Sequence, residues 1–282
     1  VDTEIIKIET KGDKILNKSI AKIGSKGVFT EELEEKLRKF DIDIAVHSAK
    51  DMQSSLPDDL EILAFTPREM VNDVLVSENT NWTLKKLNET RGVIGTSSTR
   101  RVATLKHFYP NIQTKDIRGN LQTRLKKMHE ENYDAIILAY AGVKRMEYDN
   151  MICERLDLEE FTPAVGQGSV AVQVSKFLEK SKKEAIKKLC NDTETSICLR
   201  AERAYLKTLE GGCSIPVFAL ANIQDNKLKV KGGIVSLDGK ERIYKVLTSS
   251  LEQPEHLGQM LAEFVLDSGG KAILEDIKTT IN

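Results

Sequence analysis

The chain has 282 residues, 40% hydrophobic and 30% charged, with 42 Lys and Arg against 43 Asp and Glu for a formal net charge of −1. That length accommodates two or three domains and more than one core, and the balanced charge excludes a global positive field that would recruit nucleic acid. No apolar run reaches the ~18 residues of a membrane span, no secretory leader is legible, and four cysteines without CxxC spacing (Cys153, Cys190, Cys198, Cys213) argue against a disulfide framework or zinc site, so reduced thiols in the cytoplasm are expected.

Strand-like and helix-like patterns alternate through the first two thirds. Ile5–Thr10 reads as a strand. Thr30 is placed to cap a helix over Glu31–Phe40, whose first turn carries Glu31 and Glu32 where the helix dipole favours them. Ile42–Val46, Ile62–Thr66 and Asp73–Ser77 read as strands. Gly92–Gly95 leads into a helix near Arg101–Phe108, Asn120–Glu130 is helical, and Ala135–Ala139 is a buried strand. Such alternation predicts α/β layers with a site formed by strand-end loops.

After about residue 190 the pattern changes. Thr193–Leu209 is amphipathic, with Ile197, Ala201, Ala204, Tyr205 and Leu209 on one face. Phe218–Ile223, Lys227–Leu237 and Arg242–Thr248 read as consecutive strands, with turn chemistry at Asn226 and at Asp238-Gly239. Helices over Pro254–Asp267 and Gly270–Ile277 complete a small α+β domain. Cys153, Cys190 and Cys198 fall in helical patterns and read as packing residues.

The chemistry-bearing residues gather at strand ends. In Gly95-Thr96-Ser97-Ser98-Thr99-Arg100-Arg101 three hydroxyls and two guanidiniums follow a strand and open a helix. Free N–H groups at a helix start, hydroxyl donors and bidentate Arg suit a polyanion, whereas the plainer reading is a capped helix with two solvated arginines. Ile42–Val46 runs into His47-Ser48-Ala49-Lys50-Asp51. Asp51 suits acid/base or cation-stabilising work, with Lys50 favouring its ionised form; a polar loop is the alternative, and His47 reads as a structural histidine. Ala21–Phe29 is a Gly-rich basic loop without the GxxxxGK[ST] pattern, read equally as a lid over an acidic ligand or as a surface loop. Arg118 and Arg124 flank one further helix start, and Lys144 and Arg145 follow the strand Ala135–Ala139. Several cation-bearing strand ends in a near-neutral chain point to a carboxylated, polyanionic ligand. Finally, Gly211-Gly212 places Cys213 on a tight, accessible turn, where a thiol attacks an electrophile or carries a covalent group.

Taken together, Thr10–Asp13, Ala21–Phe29, Val46–Asp51, Gly95–Arg101, Ile117–Arg124, Tyr133–Arg145, Pro163–Gly168, Leu199–Ala204 and Glu210–Pro216 resemble the hydroxymethylbilane synthase (porphobilinogen deaminase) family. The resemblance implies two periplasmic-binding-protein-like lobes and a small C-terminal domain: residues 1–67 with 169–189, 73–162, and 190–282. It implies stepwise deaminating condensation of four porphobilinogen units into linear hydroxymethylbilane, on a dipyrromethane cofactor joined by a thioether to Cys213. Asp51 matches the catalytic carboxylate, stabilising the cation left when ammonia departs. Lys22, Ser48, Lys50, Thr96, Ser97, Ser98, Arg100, Arg101, Arg118, Gly119 and Arg124 match cofactor-binding positions. Lys26, Phe29, Ala139, Arg145 and Gln167 match substrate-binding ones. No metal, nucleic acid or membrane partner is implied, and a monomer is expected. The match begins at the family's second strand, so the Arg and Ser of its first strand have no counterpart here. Pro67–Asp73 departs from the family's usual hinge text. The competing reading is a non-enzymatic, two-lobed binding protein for a carboxylated anion.

Overall fold

Each short apolar run after residue 40 finds a sheet, though not always beside its neighbour in sequence. In the computed structural model residues 3–8, 10, 30–211 and 215–281 are described. The first sheet has the order β1-β8-β2, built from β1 (Ala45–Ser48), β2 (Leu60–Phe65) and β8 (Val170–Ser175), all antiparallel. Its central strand arrives about a hundred residues after the two it joins. Helix α1 (Glu31–Arg38) lies against it, burying Leu37 with Ala45 and Leu60.

The second sheet has the order β5-β4-β6-β3-β7. Its strands are β3 (Asp73–Val76), β4 (Val93–Gly95), β5 (Gln113–Lys115), β6 (Ala135–Ala139) and β7 (Ile152–Arg155). β4 runs parallel to β5 and β6, whereas β3 is antiparallel to β6 and β7. Interleaved are α2 (Leu84–Thr90), α3 (Thr99–Phe108), α4 (Leu121–Glu130) and α5 (Tyr140–Arg145). Apolar clusters fill both faces, one around Leu75, Ile94, Ile137 and Phe161, the other around Val74, Val76, Ile136 and Val143. Strands buried on both faces lose the period-two alternation, which is why β6 reads as a continuous apolar run. Residues 66–72 connect the first sheet to the second, and residues 156–169 return to it.

Past α6 (Lys180–Cys190), the third unit packs α7 (Thr193–Thr208), α8 (Pro254–Val265) and α9 (Lys271–Ile281) on an antiparallel sheet β11-β10-β9. Its strands are β9 (Val217–Gln224), β10 (Lys227–Val235) and β11 (Arg242–Ser249). Asp225 and Asn226 both have positive φ in the two-residue β9–β10 turn, the geometry that matches strand twist. At Gly258 a Cβ would stand 2.1 Å from the Ala201 carbonyl oxygen, so glycine permits the close α7–α8 crossing.

The third unit touches both others. Leu199 of α7 joins Ala49, Met52 and Phe65 of the first, and Arg203 Nη2 donates to the Gln53 carbonyl at 2.8 Å. Against the second, Phe218 and Val235 enclose Ala103 of α3, and Lys106 Nζ donates to the Leu237 carbonyl at 2.8 Å.

Several local expectations change. Residues 3–8 and 10 form no strand: Ile5 is 93% exposed, and no described strand lies beside it to complete a ladder. The strand expected over Ile42–Val46 is displaced to Ala45–Ser48 by its register with β8. Thr30 precedes α1 without capping it: its ψ of −22° departs from the extended backbone of an N-cap, and its hydroxyl accepts from Gln53 Nε2 at 2.9 Å. Cys153 lies on β7, not a helix, with its thiol pKa pushed up by burial.

Candidate active site

The turn after β4 is built by its own hydroxyls. Ser97 Oγ donates to the Ile117 carbonyl at 2.9 Å and accepts from the Ile117 N–H at 3.0 Å, tying this turn to the one after β5. Ser98 Oγ caps α3 by accepting from the Arg101 N–H, and the buried Thr96 Oγ1 accepts from the Ser98 N–H. The capped helix is thus present. Its arginines, however, are not solvated.

Arg100 and Arg101 are 5% and 6% exposed and converge on Asp73, which has no exposed surface. Arg101 Nη2 lies 2.7 Å from Asp73 Oδ1 and Arg100 Nη2 lies 2.8 Å from Oδ2. The other terminal nitrogens donate to backbone: Arg101 Nη1 to Ile137 O at 2.8 Å, Arg100 Nη1 to Thr162 O at 3.0 Å. Burial alone would raise the Asp73 carboxyl. The Arg100 and Arg101 charges, with hydrogen bonds from Arg101 and Gln167, outweigh it and hold the group well below the usual carboxylate range.

Lys50 follows β1 on a single short turn, Ala49–Asp51. Burial pushes its pKa down, as do Arg101 and Arg124, while Asp51 and Asp73 oppose the shift. Arg124 on α4 is lowered in the same way, by burial and then by Arg101 and Arg118, with Asp51 opposing; its Nε donates to the Gly119 carbonyl at 2.8 Å. Gly119 itself needs φ +118°, where a Cβ would meet Thr123. So residues from the end of β1 and from three loops of the second sheet share one electrostatic neighbourhood. Among the described residues, burial and then neighbouring guanidiniums depress its cations. Asp51 and Ser48 are exposed there, so the Asp51 carboxylate is accessible.

The other expected residues are placed differently. Ala139 ends β6 opposite Asp73. Arg145 is exposed at the C-terminal end of α5 and is not among the charges that shift Lys50 or Arg124. Gln167 is buried, and its Nε2 donates to Val71 O at 2.7 Å and to Asp73 Oδ1 at 2.9 Å. His47 is structural, with Nε2 3.0 Å from Gln173 Oε1 and its pKa lowered by burial. Lys22, Lys26, Phe29 and Cys213 lie outside the described residues.

Two carboxylates escaped the sequence reading. Asp73 left one signal, a charge opening the apolar run Val74-Leu75-Val76. Glu202 lies on the buried face of α7 and receives Arg68 in a bidentate pair at 2.5 and 3.1 Å.

Comparison with known proteins decides what this gathering of cations belongs to. Residues 1–183 match the family model described as porphobilinogen deaminase, dipyromethane cofactor binding domain. Residues 196–267 match the porphobilinogen deaminase C-terminal domain. The chain belongs to the porphobilinogen deaminase family. It is 52% identical over 278 residues to the porphobilinogen deaminase of Cytophaga hutchinsonii, covering 99% of this chain and 88% of that one. It is likewise 52% identical over 279 residues to that of Desulfosudis oleivorans, covering 99% and 89%. Among solved structures it is similar to the Bordetella pertussis BvgS periplasmic VFT2 domain, at 16% identity and a TM-score of 0.36, covering 63% of this chain and 71% of that one.

A porphobilinogen deaminase needs a site for dipyrromethane, whose acetate and propionate arms are carboxylates. The residues here fit that group: Lys50, Arg101, Arg118 and Arg124 share one electrostatic neighbourhood suited to carboxylate arms. Among the described residues no cluster of three or more His, Cys, Asp or Glu is arranged to hold a metal ion, and no helix is long and apolar enough to cross a membrane.

Proposed function

We propose that this chain is a hydroxymethylbilane synthase, joining four porphobilinogen units and one water into linear hydroxymethylbilane with release of four ammonia molecules. The observation that carries the reading is the gathering of Lys50, Arg101, Arg118 and Arg124, from the end of β1 and from the turns after β4 and β5, around the accessible Asp51 carboxylate. When bound, the dipyrromethane supplies a nucleophilic pyrrole carbon that primes the chain. Cys213 holds it by a thioether, and Lys22, Ser48, Lys50, Thr96, Ser97, Ser98, Arg118, Gly119 and Arg124 surround it. Arg100, ion-paired to Asp73 and bonded to the Thr162 carbonyl, and Arg101, bonded to Asp73 and the Ile137 carbonyl, join them through their remaining N–H groups. Lys26, Phe29, Ala139 and Arg145 serve incoming substrate, whereas Gln167, its amide donors taken by Val71 and Asp73, supports the site through Asp73.

Asp51 is the reacting carboxylate. Its charge stands where positive charge develops on substrate as ammonia leaves, and it is placed to accept and return a pyrrole proton. The lowered pKa of Lys50 eases proton exchange with the departing amine.

The domains of this reading are residues 1–67 with 169–189, 73–162, and 190–282, supported by the three sheets and the two connections between the first pair. The enzyme acts as a cytoplasmic monomer without a nucleic-acid or membrane partner. Support comes from the net charge of −1 and from Cys153, Cys190 and Cys198 all being free thiols. The test is incubation with porphobilinogen, following ammonia and the mass of the product. One ammonia per porphobilinogen and a linear tetrapyrrole are expected; no ammonia release would refute the reading.

A further inference from the structure

Through Asp73, Arg100 and Arg101 reach the root of the connections between the first two sheets. Asp73 opens β3 directly after the connection 66–72. Arg100 reaches the Thr162 carbonyl in the returning connection 156–169, and Gln167 of that same connection bonds both Asp73 and the Val71 carbonyl. Asn72 Nδ2 donates to Leu156 O at 3.0 Å, and the Leu156 N–H donates to Asp73 O at 3.0 Å. One buried carboxylate therefore gathers the start of α3 and both connections.

Among the described residues the two guanidiniums are held at their tips: Arg100 Nε and Arg101 Nε are buried without a hydrogen-bond partner there, and Asp73 Oδ2 meets Arg100 as an ion pair only. The planar fork of each is therefore oriented by Asp73 and one carbonyl apiece. A single carboxylate between two guanidiniums also leaves a surplus positive charge, and Arg101 is one of the charges felt by Lys50 and Arg124.

We propose that Asp73 is a positioning residue, the shared counter-ion that sets where Arg100 and Arg101 stand toward the carboxylated ligand. This rests on the hydroxymethylbilane synthase reading. It acts through the arginines and does not touch substrate. A counter-ion that only balanced charge in the interior would affect stability and leave ligand handling unchanged in the folded protein.

The test compares the parent protein with Asp73→Glu and Asp73→Asn, each checked for native far-UV circular dichroism. Two properties are measured well below the unfolding midpoints: the fraction of chains carrying a two-pyrrole adduct by intact mass, and KM and kcat for porphobilinogen. Asp73→Glu keeps the charge and displaces the guanidiniums by one methylene. Loosened charge-assisted contacts to the ligand's carboxylates are worth about tenfold or more in binding, so KM should rise at least about tenfold, with kcat falling much less and the adduct fraction reduced. Asp73→Asn should shift the same quantities further. Should Asp73→Asn not fold, Asp73→Glu decides. A folded Asp73→Glu protein with parental KM and adduct fraction overturns the proposal while leaving the parent an active deaminase. A parent that carries no adduct and releases no ammonia overturns the function reading, and this proposal with it.

Discussion

Replacing Glu202 with Gln should destabilise the chain by about 3 kcal/mol, the low end of the ~3–5 kcal/mol for breaking a buried pair. Glu202 has no exposed surface, and each of its oxygens accepts two bonds. Oε1 takes Arg68 Nη1 at 2.5 Å and the Ala221 N–H at 2.8 Å; Oε2 takes Arg68 Nη2 at 3.1 Å and the Gly166 N–H at 2.9 Å. A Gln amide presents one oxygen and one NH2. Whichever way it turns, a backbone N–H of Gly166 or Ala221 faces a donor, and an orphaned buried donor alone costs ~1–3 kcal/mol. Loss of the Arg68 pairing adds to that, moderated because Arg68 is 12% exposed and gains some water. At roughly 2–4 °C per kcal/mol for a chain approaching this size, the thermal midpoint should fall by about 10 °C. Differential scanning calorimetry of the parent, Glu202→Gln, Arg68→Gln and the double variant makes the cycle. The double variant should be little worse than either single one, because the two residues share one interaction. A loss below about 1 kcal/mol, or strictly additive losses, would refute the claim that Arg68 and Glu202 form one strong buried interaction.

Asp51→Asn should fold as the parent does, since the side chain is exposed, and lose at least about 100-fold in kcat, the scale of removing one charge-stabilising group; steady-state ammonia release reads this, and a near-parental kcat would make Asp51 a bystander. Asp73 predicts an acid limb. Its folded pKa lies below the unfolded ~3.9, so its stabilisation is complete above about pH 4 and is lost as pH falls toward the folded value. The stability difference between parent and Asp73→Asn should therefore shrink below pH 4 in urea titrations, and a gap unchanged to pH 2.5 would contradict the assignment. Gly258→Ala should cost about 1–3 kcal/mol by overpacking, because its Cβ meets the Ala201 carbonyl; an unchanged thermal midpoint would show that α7 and α8 separate freely.

Much of the architecture was legible because the second sheet and the third unit are built from local signals. Val93–Gly95, Ala135–Ala139 and the turn at Asn226 announce themselves through apolar runs and turn residues. Long-range pairing is what local pattern does not carry. Ile5–Thr10 has a strand's pattern, yet it needs a neighbour to become one, whereas Val170–Ser175 becomes the central strand of the first sheet by pairing across more than a hundred residues. The site divides in the same way. The gathering of Lys50, Asp51, Arg101 and Arg124 follows from strand-end placement. The partner of Arg100 and Arg101 is 28 residues away from Arg101, and nothing around Asp73 marks it as their counter-ion. Gln167 carries the opposite lesson: a family position expected to serve substrate has its amide donors turned to Val71 and Asp73.

The intact mass of the purified parent chain, beside that of Cys213→Ser, tests the central claim most directly. A thiolate is a far stronger nucleophile than a hydroxyl, so the account predicts a covalent adduct of two pyrrole units on the parent, extended by further units after a pulse of porphobilinogen and absent from Cys213→Ser. A parent that stays unmodified after exposure to porphobilinogen, or a Cys213→Ser chain that carries the same adduct, would contradict it.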